Sequence, residues 1–151
     1  MRSLSEELEA LVGHEVTHSF PESFSGAEFR YYAMAIDDNN PRWQKGEAPP
    51  TFIVDSNQHV TERAELLRGG LSWELPTEGY RMLRGGHEYE FYRPVRAGDH
   101  VKSIWRITDV QKRTSSSGAE LIIVYSELTF MAIGGEPLAK NRETIIFQAL
   151  Q

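Results

Sequence analysis

Residues Ala33 to Phe52 read A-M-A-I-D-D-N-N-P-R-W-Q-K-G-E-A-P-P-T-F. The first four continue an amphipathic helix whose start is marked upstream. Ser25-Gly-Ala-Glu28 is a capping box, serine at the N-cap and glutamate three residues on. Phe29, Tyr32, Ala33 and Ile36 then repeat at the i, i+3, i+4, i+7 spacing of one buried face. Asp37 and Asp38 fall at the end of that helix, where the macrodipole disfavours negative charge by about 0.3–1 kcal/mol each. Pro41 forbids continuation and biases Asn40 out of the α region. The stretch therefore predicts a helix, a sharp turn, a short polar loop and, through Pro49-Pro50, entry into a second helix. Two carboxylates, two amides and a proline at one helix end make a polar pocket corner.

Outward from this corner the pattern sorts into a helical half and a strand half. Ser3 or Ser5 can cap a short first helix with Leu4, Leu8, Leu11 and Val12 on one stripe, closed by Gly13. His14 to Phe20 reads as an extended piece ended by Pro21. A longer helix is expected from Thr51 to Leu67, with an unusually polar middle at Asp55-Ser-Asn-Gln-His59 and a stop at Gly69-Gly70. Leu71 to Gly79 is an irregular linker. Charged and aromatic residues alternate over 82–95, followed by a turn at Arg96-Ala-Gly-Asp99. Strands are then expected over Val101–Arg113, Glu120–Ile133 and Leu138–Phe147, with turns at 114–118 and 134–135. The sum is one α+β domain over residues 1–151, an antiparallel sheet wrapped around a helix.

Composition narrows the chemistry. The net charge of −6 argues against a nucleic-acid partner, which needs a basic surface. The absence of cysteine removes disulfides, thiolate metal sites and a thiol nucleophile together. The five histidines show no metal-ligand spacing; His14 and His18 are four apart, but in an extended run. No metal is expected. No apolar run approaches the ~20 residues of a membrane span, and the acidic amphipathic start is the opposite of a signal peptide, so a cytoplasmic location is expected.

Three pieces in order, Asp38-Asn39-Asn40-Pro41-Arg42, Ala48-Pro-Pro-Thr-Phe52 and Arg84 to Asp99, resemble the MaoC-like hydratase/dehydratase family, and within it the N-terminal dehydratase-like half of double-domain members. The family motif is Asp, any residue, Asn-Pro, one residue, His; here the last position is Trp43. The resemblance implies a hot-dog fold, acyl thioesters of coenzyme A or an acyl carrier as substrates with no further cofactor, and a homodimer or a heteromer with a chain that keeps the Asp–His dyad. It makes Asp38 the retained catalytic candidate and Asn40, Trp43, Thr51 and Phe52 the substrate-binding candidates. His87 or His59 are the candidate substitute bases. Asp38 has two readings, a pocket polar group or a turn carboxylate accepting from the Asn40 backbone. Trp43 reads as a packing residue that fills or covers the pocket. Arg81, Arg84, Arg93 and Arg96 could meet a coenzyme A phosphate or line a solvated strand edge.

Hydration of an enoyl thioester needs a base for water, a proton for the α-carbon and donors for the enolate oxygen. Tryptophan cannot carry that proton. The expected function is the half of a hydratase/dehydratase that binds the acyl chain and pairs with a catalytic subunit. The alternatives are a stand-alone hydratase or acyl-CoA thioesterase with a relocated base, and a non-catalytic acyl-CoA binder.

Overall fold

The computed structural model describes residues 2–55 and 75–150. Helix α1 (Leu4–Ala10) is capped by Ser3 rather than Ser5: the Ser3 hydroxyl accepts from the Glu6 N–H, and Glu6 returns a bond to the Ser3 N–H at 2.8 Å. Leu4 and Leu8 are buried, Leu11 is half-buried and Val12 is exposed, so the apolar stripe is shorter than expected. Strand β1 (Glu15–Ser19) follows, and then helix α2 (Gly26–Ala35) with its capping box at Ser25 and Glu28. Phe29 and Ala33 are its buried residues. Ile36 is the C-cap and lies 47% exposed, because the chain unwinds there before a further apolar turn can reach the core.

The expected polar loop after Asn40 is itself helical, a 3-10 turn over Pro41–Lys45. Proline at its first position fits, since that N–H needs no partner. Helix α3 begins at Phe52 and is described to Asp55; the rest of the helix expected to Leu67, its Gly69-Gly70 stop, and His59 lie outside the described residues.

The strand half is β2 (Tyr80–Phe91), β3 (Val101–Thr114), β4 (Glu120–Ala132) and β5 (Pro137–Ala149). All pairings are antiparallel and the order is β1-β3-β4-β5-β2. The strand expected over 82–95 starts two residues earlier and stops at Phe91; the Tyr92 and Arg93 N–H groups still reach Leu138 O, and Val95 O accepts from Ala48 N–H just beyond the 3-10 turn. Alternation puts one face of the sheet inward. Phe130, Val101 and Ala139 join Phe20, Phe24, Phe29, Phe52 and Ile53 in one apolar cluster. Trp105, Ile107, Ile122, Val124, Ile145 and Phe147 pack with Leu4 and Leu8 of α1 in a second. Phe52 sits at the middle of an aromatic nest, edge-on to Phe24, Phe29 and Tyr32 at centroid distances of 5.1, 4.9 and 5.5 Å.

Candidate functional site

The corner is built by a helix that ends on an aspartate. Asp37 takes φ +54°, the left-handed conformation usually left to glycine, and the Asp37 and Asp38 N–H groups donate back to Met34 and Ala33 carbonyls at 3.2 and 2.8 Å. This is a Schellman closure, which satisfies carbonyls at the helix end. The Asp38 carboxylate then accepts from the Asn40 N–H at 3.1 Å, the turn role foreseen as one of its two readings. The Asn40 side chain accepts from the Arg42 N–H at 3.0 Å and caps the 3-10 turn. Asp38 and Asn40 thus each hold the next piece of backbone.

Trp43 is carried inward by that turn and is 5% exposed. Arg42 lies over its ring at 5.6 Å, and its indole N–H is buried with no hydrogen-bond partner among the described residues. The loop beyond is clamped to the β2–β3 connection. Ala48 N–H donates to Val95 O at 2.8 Å, Ala97 N–H to Gly46 O at 2.9 Å, and Arg42 pairs with Glu47 at 2.8 Å. Behind the clamp, Arg93 holds Asp99 at 2.7 Å and Glu136 at 2.9 Å. Burial pushes the Asp99 carboxyl up, but the Arg93 guanidinium and the Arg96 N–H outweigh it and hold the group below the usual carboxylate range.

Between corner and clamp opens a cavity of about 220 Å³, walled by Trp43, Pro50, Ile53, Phe91, Tyr92 and Leu138 among others. Of the four expected substrate-binding residues Trp43 alone lines it. Asn40 is exposed on its turn, Thr51 is exposed and accepts from the Tyr32 hydroxyl at 2.8 Å, and Phe52 is core.

His87 stands elsewhere, on the core-facing side of β2. One ring nitrogen lies 3.1–3.3 Å from the Asn141 amide and the other 3.6 Å from Glu143, which also pairs with Arg84. Its ring stacks on Tyr89, and Tyr89 on Phe91, at 6.0 and 5.5 Å. Burial, followed by the nearby Glu143 carboxylate, raises the Tyr89 hydroxyl's pKa. Asp38 and His87 share no hydrogen bond or ion pair. Asn141, 2% exposed, and Glu143 were missed from sequence; their signal was two polar residues at the every-second-residue positions that Ala139, Ile145 and Phe147 occupy on the inward face of the last strand. The four arginines weighed as a phosphate site face the chain's own acceptors: Arg81 meets Gln148, Arg84 meets Glu143, Arg93 meets Asp99 and Glu136, and Arg96 lies 4.0 Å from Glu47. Among the described residues no group of His, Asp and Glu could hold a metal ion, and no helix is long and apolar enough to cross a membrane.

A five-stranded antiparallel sheet in this order, with the helix start and the motif corner over one end of its inner face, is the α+β hot-dog fold of hydratase-type proteins. The chain belongs to the FAS1-like dehydratase domain region family, whose model matches residues 10–140, and so to the MaoC-like hydratases and dehydratases that the motif suggested. It is 24% identical over 153 residues to a UPF0336 protein of Saccharopolyspora erythraea, covering 91% of this chain and 89% of that one. Among solved structures it is similar to the ChsH1-ChsH2 complex of Mycobacterium tuberculosis, with a TM-score of 0.71 at 15% identity over 98% of this chain and 91% of that one. It is also similar to the HadBC (3R-hydroxyacyl-ACP dehydratase) complex of the same organism, with a TM-score of 0.60 at 18% identity over 88% and 96%. Both of those structures are complexes of two named chains.

Proposed function

We propose that this chain is the acyl-binding half of a hydratase/dehydratase acting on thioesters of coenzyme A or an acyl carrier, and that a MaoC-like partner bearing the Asp–His dyad supplies the acid–base chemistry. The observation that carries the reading is Trp43, buried at the position the family gives to histidine. An indole neither takes a proton from water nor delivers one to an α-carbon. Losing such a group removes about 10²–10⁴ in rate. Asp38 supports the same view, since one of its oxygens is engaged by the Asn40 backbone. His87 is a poor substitute base because both ring nitrogens face side chains of its own strand pair. The apolar cavity beside Trp43 offers room for part of an acyl group.

The purified chain, assayed alone with crotonyl-CoA and longer enoyl-CoAs, is expected to show no hydration. Co-expression with a dyad-bearing MaoC-like chain is expected to yield an active heteromer. Hydration by the chain alone that disappears in Asp38→Ala or His87→Gln sinks the proposal and returns the chain to a self-sufficient enzyme. Release of free thiol without hydration points instead to a thioesterase.

A further inference from the structure

The apolar cavity beside Trp43 has a polar neighbour. Phe91 and Ala139, opposite one another on β2 and β5, stand in its wall. The next inward pair along the same two strands is Tyr89 and Asn141, and the next is His87 and Glu143. Successive inward positions on a strand lie about 6.7 Å apart, so the polar rows begin directly beyond the apolar wall. The bulge at Gly85-Gly86 makes this arrangement. Before it, Met82 and Arg84 face inward opposite Phe147 and Ile145; in an unbroken strand His87, Tyr89 and Phe91 would then face outward. The extra residue turns them inward, where the three rings stack as a ladder. Glycine is needed at the bulge, since a Cβ on Gly85 would come within 2.9 Å of Thr144. The ladder is open to a ligand: Phe91 is 46% exposed and the His87 side chain 40%.

The polar rows have two loose ends. Asn141 is 2% exposed, and its amide meets His87 Nδ1, which lies 3.1 Å from Nδ2 and 3.3 Å from Oδ1. A neutral imidazole nitrogen either donates or accepts, so the two contacts cannot both be hydrogen bonds. With either tautomer, one end of a buried amide has no partner among the described residues. The second loose end is the 3.6 Å between His87 Nε2 and Glu143, too long for a hydrogen bond. Buried polar groups are normally satisfied. Packing alone would put apolar residues here, as it does at Ala139, Ile145 and Phe147 on the same face of β5. One ligand oxygen brought to this row completes it. A hydroxyl suits either tautomer, because it both donates and accepts. An anion does not, because the Glu143 carboxylate stands here and already engages Arg84.

We infer that Asn141 and His87 form a polar subsite at the end of the cavity, and that the acyl group this chain takes carries a neutral hydroxyl remote from its thioester. The inference rests on the acyl-binding reading and narrows the acyl class from plain hydrocarbon to oxygenated. Under that reading the reacting bond lies at the partner's dyad, so an oxygen held here belongs to the body of the acyl group. The cavity of about 220 Å³ has room for roughly seven non-hydrogen atoms of the adjoining apolar stretch, at about 30 Å³ each.

Isothermal titration calorimetry of the purified full chain compares dodecanoyl-CoA with hydroxydodecanoyl-CoAs whose hydroxyl stands at successive carbons from mid-chain to the far end. One member of the series is expected to bind about five- to tenfold tighter than dodecanoyl-CoA, the size of one well-placed neutral hydrogen bond. Dodecanedioyl-CoA, which ends in a carboxylate, is expected to bind no better than dodecanoyl-CoA. Asn141→Leu and His87→Phe are each expected to bring the hydroxyl preference close to one. Thermal unfolding checks that each variant folds. His87→Phe keeps the ring ladder at a half-exposed position, so it carries the test if Asn141→Leu does not fold. Binding of dodecanoyl-CoA with no preference anywhere in the series overturns the inference and leaves the acyl-binding reading standing. So does a preference that survives both variants, or tighter binding of dodecanedioyl-CoA. No binding of any of these thioesters overturns both.

Discussion

The corner at Asp38–Trp43 and the edge strand β2 are both rich in polar groups, yet they use them in opposite ways. At the corner three groups are turned back on the chain: Asp38 on Asn40, Asn40 on Arg42, Arg42 on Glu47. On β2, Arg81, Glu88 and Glu90 reach sideways to Gln148 and Arg142 of the neighbouring strand and stand exposed at an edge with no strand beyond it among the described residues. A gathering of carboxylates and amides is therefore weak evidence of reactivity until their hydrogen bonds are counted. Here the corner is a frame and the edge is where the chain has capacity left for a neighbour.

Four substitutions break or sharpen that contrast. The largest effect is expected where the frame meets the core: Phe52→Ala removes the centre of the aromatic nest and should lower unfolding free energy by about 3–5 kcal/mol in a denaturant titration. Arg93→Ala comes next. It leaves Asp99 half-buried without its main partner and should destabilise by roughly 2 kcal/mol. The pH dependence gives the sign. The Asp99 carboxyl is depressed in the folded state, so its contribution is full above about 3.9 and is lost as pH falls below that value. Arg93→Ala should therefore show a shallower loss of stability than the parent over that acid range. A parallel loss removes Asp99 from the explanation.

Gly85→Ala tests the edge. Its Cβ would meet Thr144 backbone and side chain, so a loss of about 1–3 kcal/mol is expected in a denaturant titration. Asp37→Gly should act in the opposite direction. It relieves a left-handed aspartate at an exposed site and should raise the unfolding free energy by about 0.5–1 kcal/mol. No change there would mean the aspartate side chain compensates locally.

Much of the frame was readable before any coordinates. The Ser25–Glu28 box and the long strands follow from spacing, because caps and strand alternation act within a few residues; Asn40-Pro41, read as the helix stop, instead opens the 3-10 turn after the helix has ended at Ala35. The 3-10 turn at Pro41–Lys45 was missed because five polar-leaning residues have no period to read. Ile36 was placed in the core on periodicity alone, whereas Asp37's left-handed step ends the helix first. The polar group of His87, Asn141 and Glu143 could not be assembled from sequence, since its members lie on two strands joined only by register.

The sequence by itself determined the capped start of α2, the strand half and the loss of the motif histidine at Trp43, because these are local or single-residue facts. Tertiary structure alone decided that the last strand pairs with β2, that β2 becomes an edge, and which of its charges face outward. Those outcomes depend on pairings between segments some sixty residues apart. They also depend on one bulge, which reverses which side chains share a face.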